Sequence, residues 1–237
     1  SVLIPKNLTL DNYINSWNFP RIFNKSVTMG TFFKNSLVTT VIITISGLLF
    51  DSMAGYVIGR KEFPGRKLFF YLALSTLMIP IYVTVVPMFI IVRSLRWTNT
   101  YAGLTVPFLS SGLGIYMFKQ YFETLPIELE EVAKIDGASN FRIYFTIMLP
   151  LSKPALATMA ILKSMWAWNQ FFWPLIIISE LKMKTLQLAL TMFRGLNVTQ
   201  WGLLSAGMTI AILPPIIIFI ALQKYYLTGL TVGAVKG

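Results

Sequence analysis

Glu128-Leu129-Glu130-Glu131-Val132-Ala133-Lys134-Ile135-Asp136-Gly137, continuing through Ser139-Asn140-Phe141 to Ile147-Met148-Leu149-Pro150, is a long polar stretch set in an apolar chain. Leu129, Val132, Ala133 and Asp136 recur at helical spacing, and Gly137 is suited to end that helix in the left-handed conformation. Ser139 or Asn140 can cap a second short helix, Phe141 to Met148, which Pro150 is expected to stop. The stretch reads as a helix-turn-helix with acidic and apolar faces, held outside a bilayer and shaped to dock a soluble partner. An interfacial helix lying on the membrane is disfavoured, because anionic headgroups attract Lys and Arg rather than acids.

Outward from this stretch the chain is apolar in both directions. Of 237 residues 55% are hydrophobic and 12% charged, with mean hydropathy +0.67; an average globular chain carries roughly 25% charged residues, about twice as many. Windows near the length of a bilayer-crossing helix give five apolar runs, at 36–59, 68–92, 102–122, 154–179 and 202–224. The expected fold class is therefore all-α, a polytopic membrane protein with five transmembrane helices. Residues 1–35, with Pro5 and Pro20, form a polar and aromatic extension without the continuous apolar core of a signal peptide. A membrane domain follows over 36–226, with its polar loop at 123–153 and a glycine-rich tail over 227–237. Pro80, Pro87, Pro107, Pro174 and the pair Pro214-Pro215 fall within the spans. Each removes a backbone donor, so the freed carbonyls must face protein or a watery cavity.

Charge and absences exclude whole chemistries. The chain has 20 Lys+Arg against 9 Asp+Glu, a net +11; in a soluble protein this points to nucleic acid, but in a membrane protein it marks loops beside anionic lipid. With no His and no Cys there is no Ser-His-Asp or Cys-His triad and no Cys/His zinc site. Gly65-Arg66-Lys67 lacks the first Gly and the Ser/Thr of a phosphate-binding loop. No catalytic residue and no metal site is expected, and the chain reads as no enzyme. Loop charge does not orient it, since the two sides carry ten and nine basic residues. The scarce acids are more telling: five of nine, Glu123, Glu128, Glu130, Glu131 and Asp136, fall within fourteen residues of the polar loop.

Two ionisable residues lie inside spans, where charge is costly and marks function. Asp51 and Lys163 sit eight and nine residues from the same face, each roughly 12 to 14 Å deep at about 1.5 Å per residue, and are expected to pair or share a polar network. Lys163, Trp166, Gln170 and Trp173, with Asn169 adjacent, step by three, four and three along one helix face. Such a stripe offers hydroxyl partners and indole surfaces to a sugar and is the candidate substrate pathway, although Trp is also common at membrane interfaces.

Glu131-Val132-Ala133, three residues, Gly137, nine residues, then Ile147-Met148-Leu149-Pro150 resembles the E-A-A-x3-G-x9-I-x-L-P signature of the permease subunits of bacterial ABC importers, with Val132 in place of the first Ala. The tail Gly229-Leu230-Thr231-Val232-Gly233-Ala234-Val235-Lys236-Gly237 resembles the ending of the smaller maltose-type permease of the carbohydrate-uptake class. Arg60-Lys61-Glu62-Phe63-Pro64-Gly65-Arg66 is similar to that group's first cytoplasmic loop, and Thr9-Leu10-Asp11-Asn12-Tyr13 to its periplasmic extension.

The resemblance implies that Glu131, Val132, Ala133, Asp136 and Gly137 shape a cytoplasmic coupling helix that seats in an ATPase subunit, that Leu149 and Pro150 end the loop, and that Gly229, Gly233 and Lys236 reach along the ATPase dimer. It places 123–153 inside and 1–35 outside. It implies a multi-pass protein of the bacterial cytoplasmic (inner) membrane, in membrane lipid, moving a sugar or related polar solute. The implied partners are a second homologous permease, an ABC ATPase dimer and an extracytoplasmic solute-binding protein, with no nucleic acid. No cofactor belongs to this chain, ATP and Mg being held by the ATPase. Members usually have six spans, so one more helix is expected before Ser1. The alternative is an ion-coupled secondary transporter, which has no need of an ATPase dock.

Overall fold

The computed structural model describes residues 9–194 and 199–234. Helix α1, Asp11–Asn18, and a 3-10 turn, Phe19–Ile22, lead into α2, Met29–Arg60, an unbroken helix of 32 residues. This helix begins at Met29, seven residues before the apolar run at 36–59 and inside the 1–35 extension. Thr28 and Thr31 form a reciprocal capping box there. Met29 and Phe32 are fully buried, packed among Trp168, Leu186, Phe193 and Leu204. Hydropathy alone ended the span at the polar side chains of Lys34 and Asn35, whereas the helix continues because its capping and packing do.

The next two apolar runs are each broken. Helices α3, Arg66–Met78, and α4, Ile81–Ser94, meet at 105° across Ile79-Pro80; Pro80 cannot supply the donor that would carry α3 onward. Helix α5, Tyr101–Thr105, a 3-10 turn, Val106–Phe108, and α6, Gly112–Glu123, bend by 43°. The polar loop holds α7, Glu128–Ile135, then α8, Asn140–Ile143, one turn of π-helix, Tyr144–Met148, and α9, Leu149–Leu151. The expectation that Pro150 stops the second loop helix is corrected. Pro150 lies within the continuous helical stretch Asn140–Leu151, just after the π turn, and the 77° bend falls at Ser152 instead.

The fourth run comprises α10, Lys153–Trp168, and α11, Phe172–Ile177, separated at 169–171. After α12, Leu186–Ala189, the chain ends its described course in α13, Trp201–Ala234, which carries Pro214 and Pro215 within it. Two helices are long and apolar enough to cross a membrane singly, and five spans result when each bent pair is one crossing. α2 lies at the centre of these helices, packed along α6 and α10.

Two proline-freed carbonyls find indole partners. The Ala211 carbonyl would bond the missing N–H of Pro215, and the Gly103 carbonyl that of Pro107. Trp168 Nε1 donates to Ala211 O and Trp173 Nε1 to Gly103 O, each at 2.9 Å and each buried. The breaks are thus satisfied by protein rather than exposed to lipid.

Candidate functional site

Asp51 stands on α2 nine residues inward of Arg60 and is fully buried. α10 brings Lys163 against it, with Nζ to Oδ2 at 2.9 Å, so the two charges expected to meet form an ion pair. The carboxylate is otherwise saturated: Ser110 Oγ donates at 2.7 Å, Ser111 N at 2.9 Å and Ser111 Oγ at 3.0 Å. The ammonium has no hydrogen bond of good angle among the described residues, so charge rather than directional bonding holds it. Space for the pair exists because two neighbours lack a side chain. A Cβ at Gly47 would overlap Lys163 Nζ, and one at Gly114 would overlap Asp51 Oδ2.

Beside the pair opens a cavity of about 530 Å³, within the usual range for small-ligand sites. Its polar wall consists of Thr76, Ser110, Ser111, Lys163 and the indole of Trp166, and Phe108 meets Trp166 edge to face at 5.1 Å. Of the expected stripe, only Lys163 and Trp166 reach this cavity. The expectation of one continuous face through Trp173 is corrected, since α10 ends at Trp168 and α11 begins at Phe172. Trp173 is buried on the Gly103 carbonyl, Gln170 lines a separate slot of about 10 Å³, and Asn169 bonds Met165 O and Gln187 outside the cavity. Thr76, Ser110 and Ser111 were missed; their signal was a Ser-Ser-Gly break facing an intramembrane acid.

A second polar cluster fixes the loop. Glu130, 1% exposed, accepts from Arg60 Nε at 2.7 Å, Lys61 Nζ at 2.5 Å and Tyr56 Oη at 3.0 Å. Arg60 also donates to the carbonyls of Leu125 and Pro126. Burial raises the Glu130 carboxyl, but hydrogen bonds from Arg60, Lys61 and Tyr56 outweigh it, so its pKa lies below the ordinary value. Ser52 and Tyr144 share a hydrogen bond of 2.6 Å nearby.

Helix α7 therefore turns Glu130 and Ala133 inward. Of the residues at helical spacing, Ala133 is buried while Leu129, Val132 and Asp136 are exposed, as are Glu131 and Ile135. Gly137 ends the helix at φ +77°, with Gly137 N bonded to Lys134 O and Ala138 N to Ala133 O. Ser139 caps α8 by accepting from Arg142 N. Phe141, two residues on, is 66% exposed, and on α7 Ile135 is 85% and Val132 59% exposed. Leu149 is half-buried and Pro150 exposed. Positions 229 and 233 lie on the last turns of α13, and Lys236 lies outside the described residues.

Residues 51–231 match the family described as binding-protein-dependent transport system inner membrane component. The arabinooligosaccharides transport system permease proteins of Halalkalibacterium halodurans and Bacillus subtilis are each 40% identical over 233 residues, covering 98% of this chain and 81% of theirs. The sn-glycerol-3-phosphate transport system permease protein of Pectobacterium atrosepticum is 35% identical over 209 residues, covering 87% and 74%. A solved chain of a bacterial ABC transporter involved in the import of the acidic polysaccharide alginate superposes with TM-score 0.81 at 25% identity, over 94% of this chain and 82% of that one. On the strength of its intramembrane cavity, its anchored polar loop and these matches, the chain belongs to the inner membrane permease family of binding-protein-dependent transport systems.

Proposed function

We propose that this chain is the permease subunit of an ABC importer for a saccharide-class solute, driven by ATP hydrolysis in a separate ATPase. The observation that carries the reading is the coupling loop: an exposed apolar set, Val132, Ile135 and Phe141, on a helix pair clamped to α2 through Glu130. Such a face outside the bilayer calls for a soluble partner, and the clamp gives that partner a rigid route into the membrane. Glu131, exposed and free of contacts with this chain's described bases, is the charge offered to the ATPase. The nearby bases of this chain, Arg60 and Lys61, are taken by Glu130. ATP and Mg belong to that ATPase, and a second permease closes the cavity from the other side. Gly229, Gly233 and Lys236 are proposed to contact the ATPase dimer.

The solutes for which the relatives are named support a sugar or sugar-like cargo but differ in charge. In the cavity, Trp166 supplies an apolar surface for a ring face, and Ser110 and Ser111 supply hydroxyl partners. The chain co-expressed with its ATPase, second permease and binding protein is expected to co-purify with the ATPase and to take saccharide into proteoliposomes only with ATP. Trp166→Ala is expected to lower that uptake about tenfold with assembly and basal ATP hydrolysis retained, a loss of roughly 1.4 kcal/mol of solute interaction. Uptake driven by an ion gradient without ATP would instead favour the secondary carrier.

A further inference from the structure

We infer that the cavity wall contributed by this subunit is built for an uncharged saccharide and discriminates against anionic ones, with Asp51 as the residue that enforces the choice. The inference deepens the permease reading and rests on it. Lys163 is the one charged residue lining the cavity among the described residues, and its charge is cancelled at 2.9 Å by a fully buried carboxylate.

That carboxylate is itself fixed by three donors on the α5–α6 connection, so it does not swing away to leave the ammonium free. What faces a solute is hydroxyl, indole and apolar surface. A phosphate or uronate placed here would lose its hydration without gaining a free cation, which is costly in a low-dielectric setting. A neutral sugar loses only hydroxyl hydration, and Ser110 and Ser111 can replace it: each hydroxyl donates to Asp51, Ser110 keeping its lone pairs for the solute and Ser111, which also accepts from Gly114 N at 3.2 Å, keeping one.

The test compares ATP-driven uptake of arabinotriose and trigalacturonate by the complete reconstituted transporter with excess binding protein. Wild type is expected to favour arabinotriose. Asp51→Asn unmasks the Lys163 ammonium and is expected to shift the uptake ratio toward trigalacturonate about tenfold; adding Lys163→Met removes the cation and reverses that shift.

Because Asp51→Asn disturbs a buried pair, Thr76→Lys serves as the second variant. It adds an unmatched cation at an exposed position of the same wall and is expected to shift the ratio in the same direction. A wild-type complex that takes up trigalacturonate as well as arabinotriose, or assembled variants with unchanged ratios, overturns this inference alone. A wild-type complex that takes up neither solute with ATP overturns the saccharide-permease reading and this inference with it.

Discussion

Glu130 is held by three donors, Tyr56 and Arg60 on α2 and Lys61 just past its end, and those contacts make its ionised form part of the fold. Because its folded pKa lies below the ordinary value near 4.3, the stability it contributes is present above that value and is lost as pH falls through the depressed folded pKa. Thermal unfolding of the wild type and Glu130→Gln as a function of pH is expected to show a constant gap between about pH 5 and 8 that closes below about pH 4. A gap that widens on acidification would count against the clamp. From sequence, Glu128, Glu130 and Glu131 were three equivalent acids on a short helix, and attention fell on Glu131 through its motif. What separates them is the rotation of α7, set by Ala133 packing inward three residues after Glu130, together with the Arg60-Lys61 pair that waits at the end of α2. Asp51 and Lys163, by contrast, were legible because equal depth in two apolar runs leaves an isolated charge few partners.

At the scale of elements, the five apolar runs were readable, since lipid imposes length and hydropathy directly. Their internal breaks were signalled by proline, but the angles were not. Neighbouring packing decides those, as the indoles of Trp168 and Trp173 do when they receive the carbonyls of Ala211 and Gly103. This is also why Trp173 did not join the cavity: its ring is committed to the break at Pro107. The coupling pair α7–α8 turns on Gly137, where a Cβ would touch nothing but φ is +77°. Gly137→Ala is therefore expected to cost roughly 1 kcal/mol through backbone strain alone. Ile135→Asp, at an exposed site, is expected to leave the thermal stability of the isolated chain within about 0.5 kcal/mol while abolishing most solute-stimulated ATP hydrolysis in the complex. Full stimulation in an assembled Ile135→Asp complex would remove the docking role of this face.

Across the whole molecule, α2 is gripped at three heights. Near its outer end Asn35 donates to the carbonyls of Lys182 and Lys184 and accepts from Tyr101; at mid-depth Asp51 is tied to α10 and the α5–α6 connection; at its inner end Arg60 and Lys61 hold Glu130. No proline interrupts this helix, so it transmits displacement as a stiff rod. With Asp51 as fulcrum, the inner arm to Arg60 is about 14 Å and the outer arm to Asn35 about 24 Å at the rise of a helix. A rigid tilt of α2 about that point would move its Asn35 end about 1.8 times as far as its Arg60 end, and in the opposite direction. The chain contains no native cysteine, so paired spin labels can be placed on it without background. Labels at Leu37 and Val106 are expected to change separation between nucleotide-free and ATP-trapped complexes more than labels at Leu49 and Leu113, all four being exposed positions. The reverse order would move the fulcrum elsewhere. On this geometry the buried ion pair would be a bearing as well as a lining: the same contact that neutralises the cavity would set the ratio of movement between the two ends of α2.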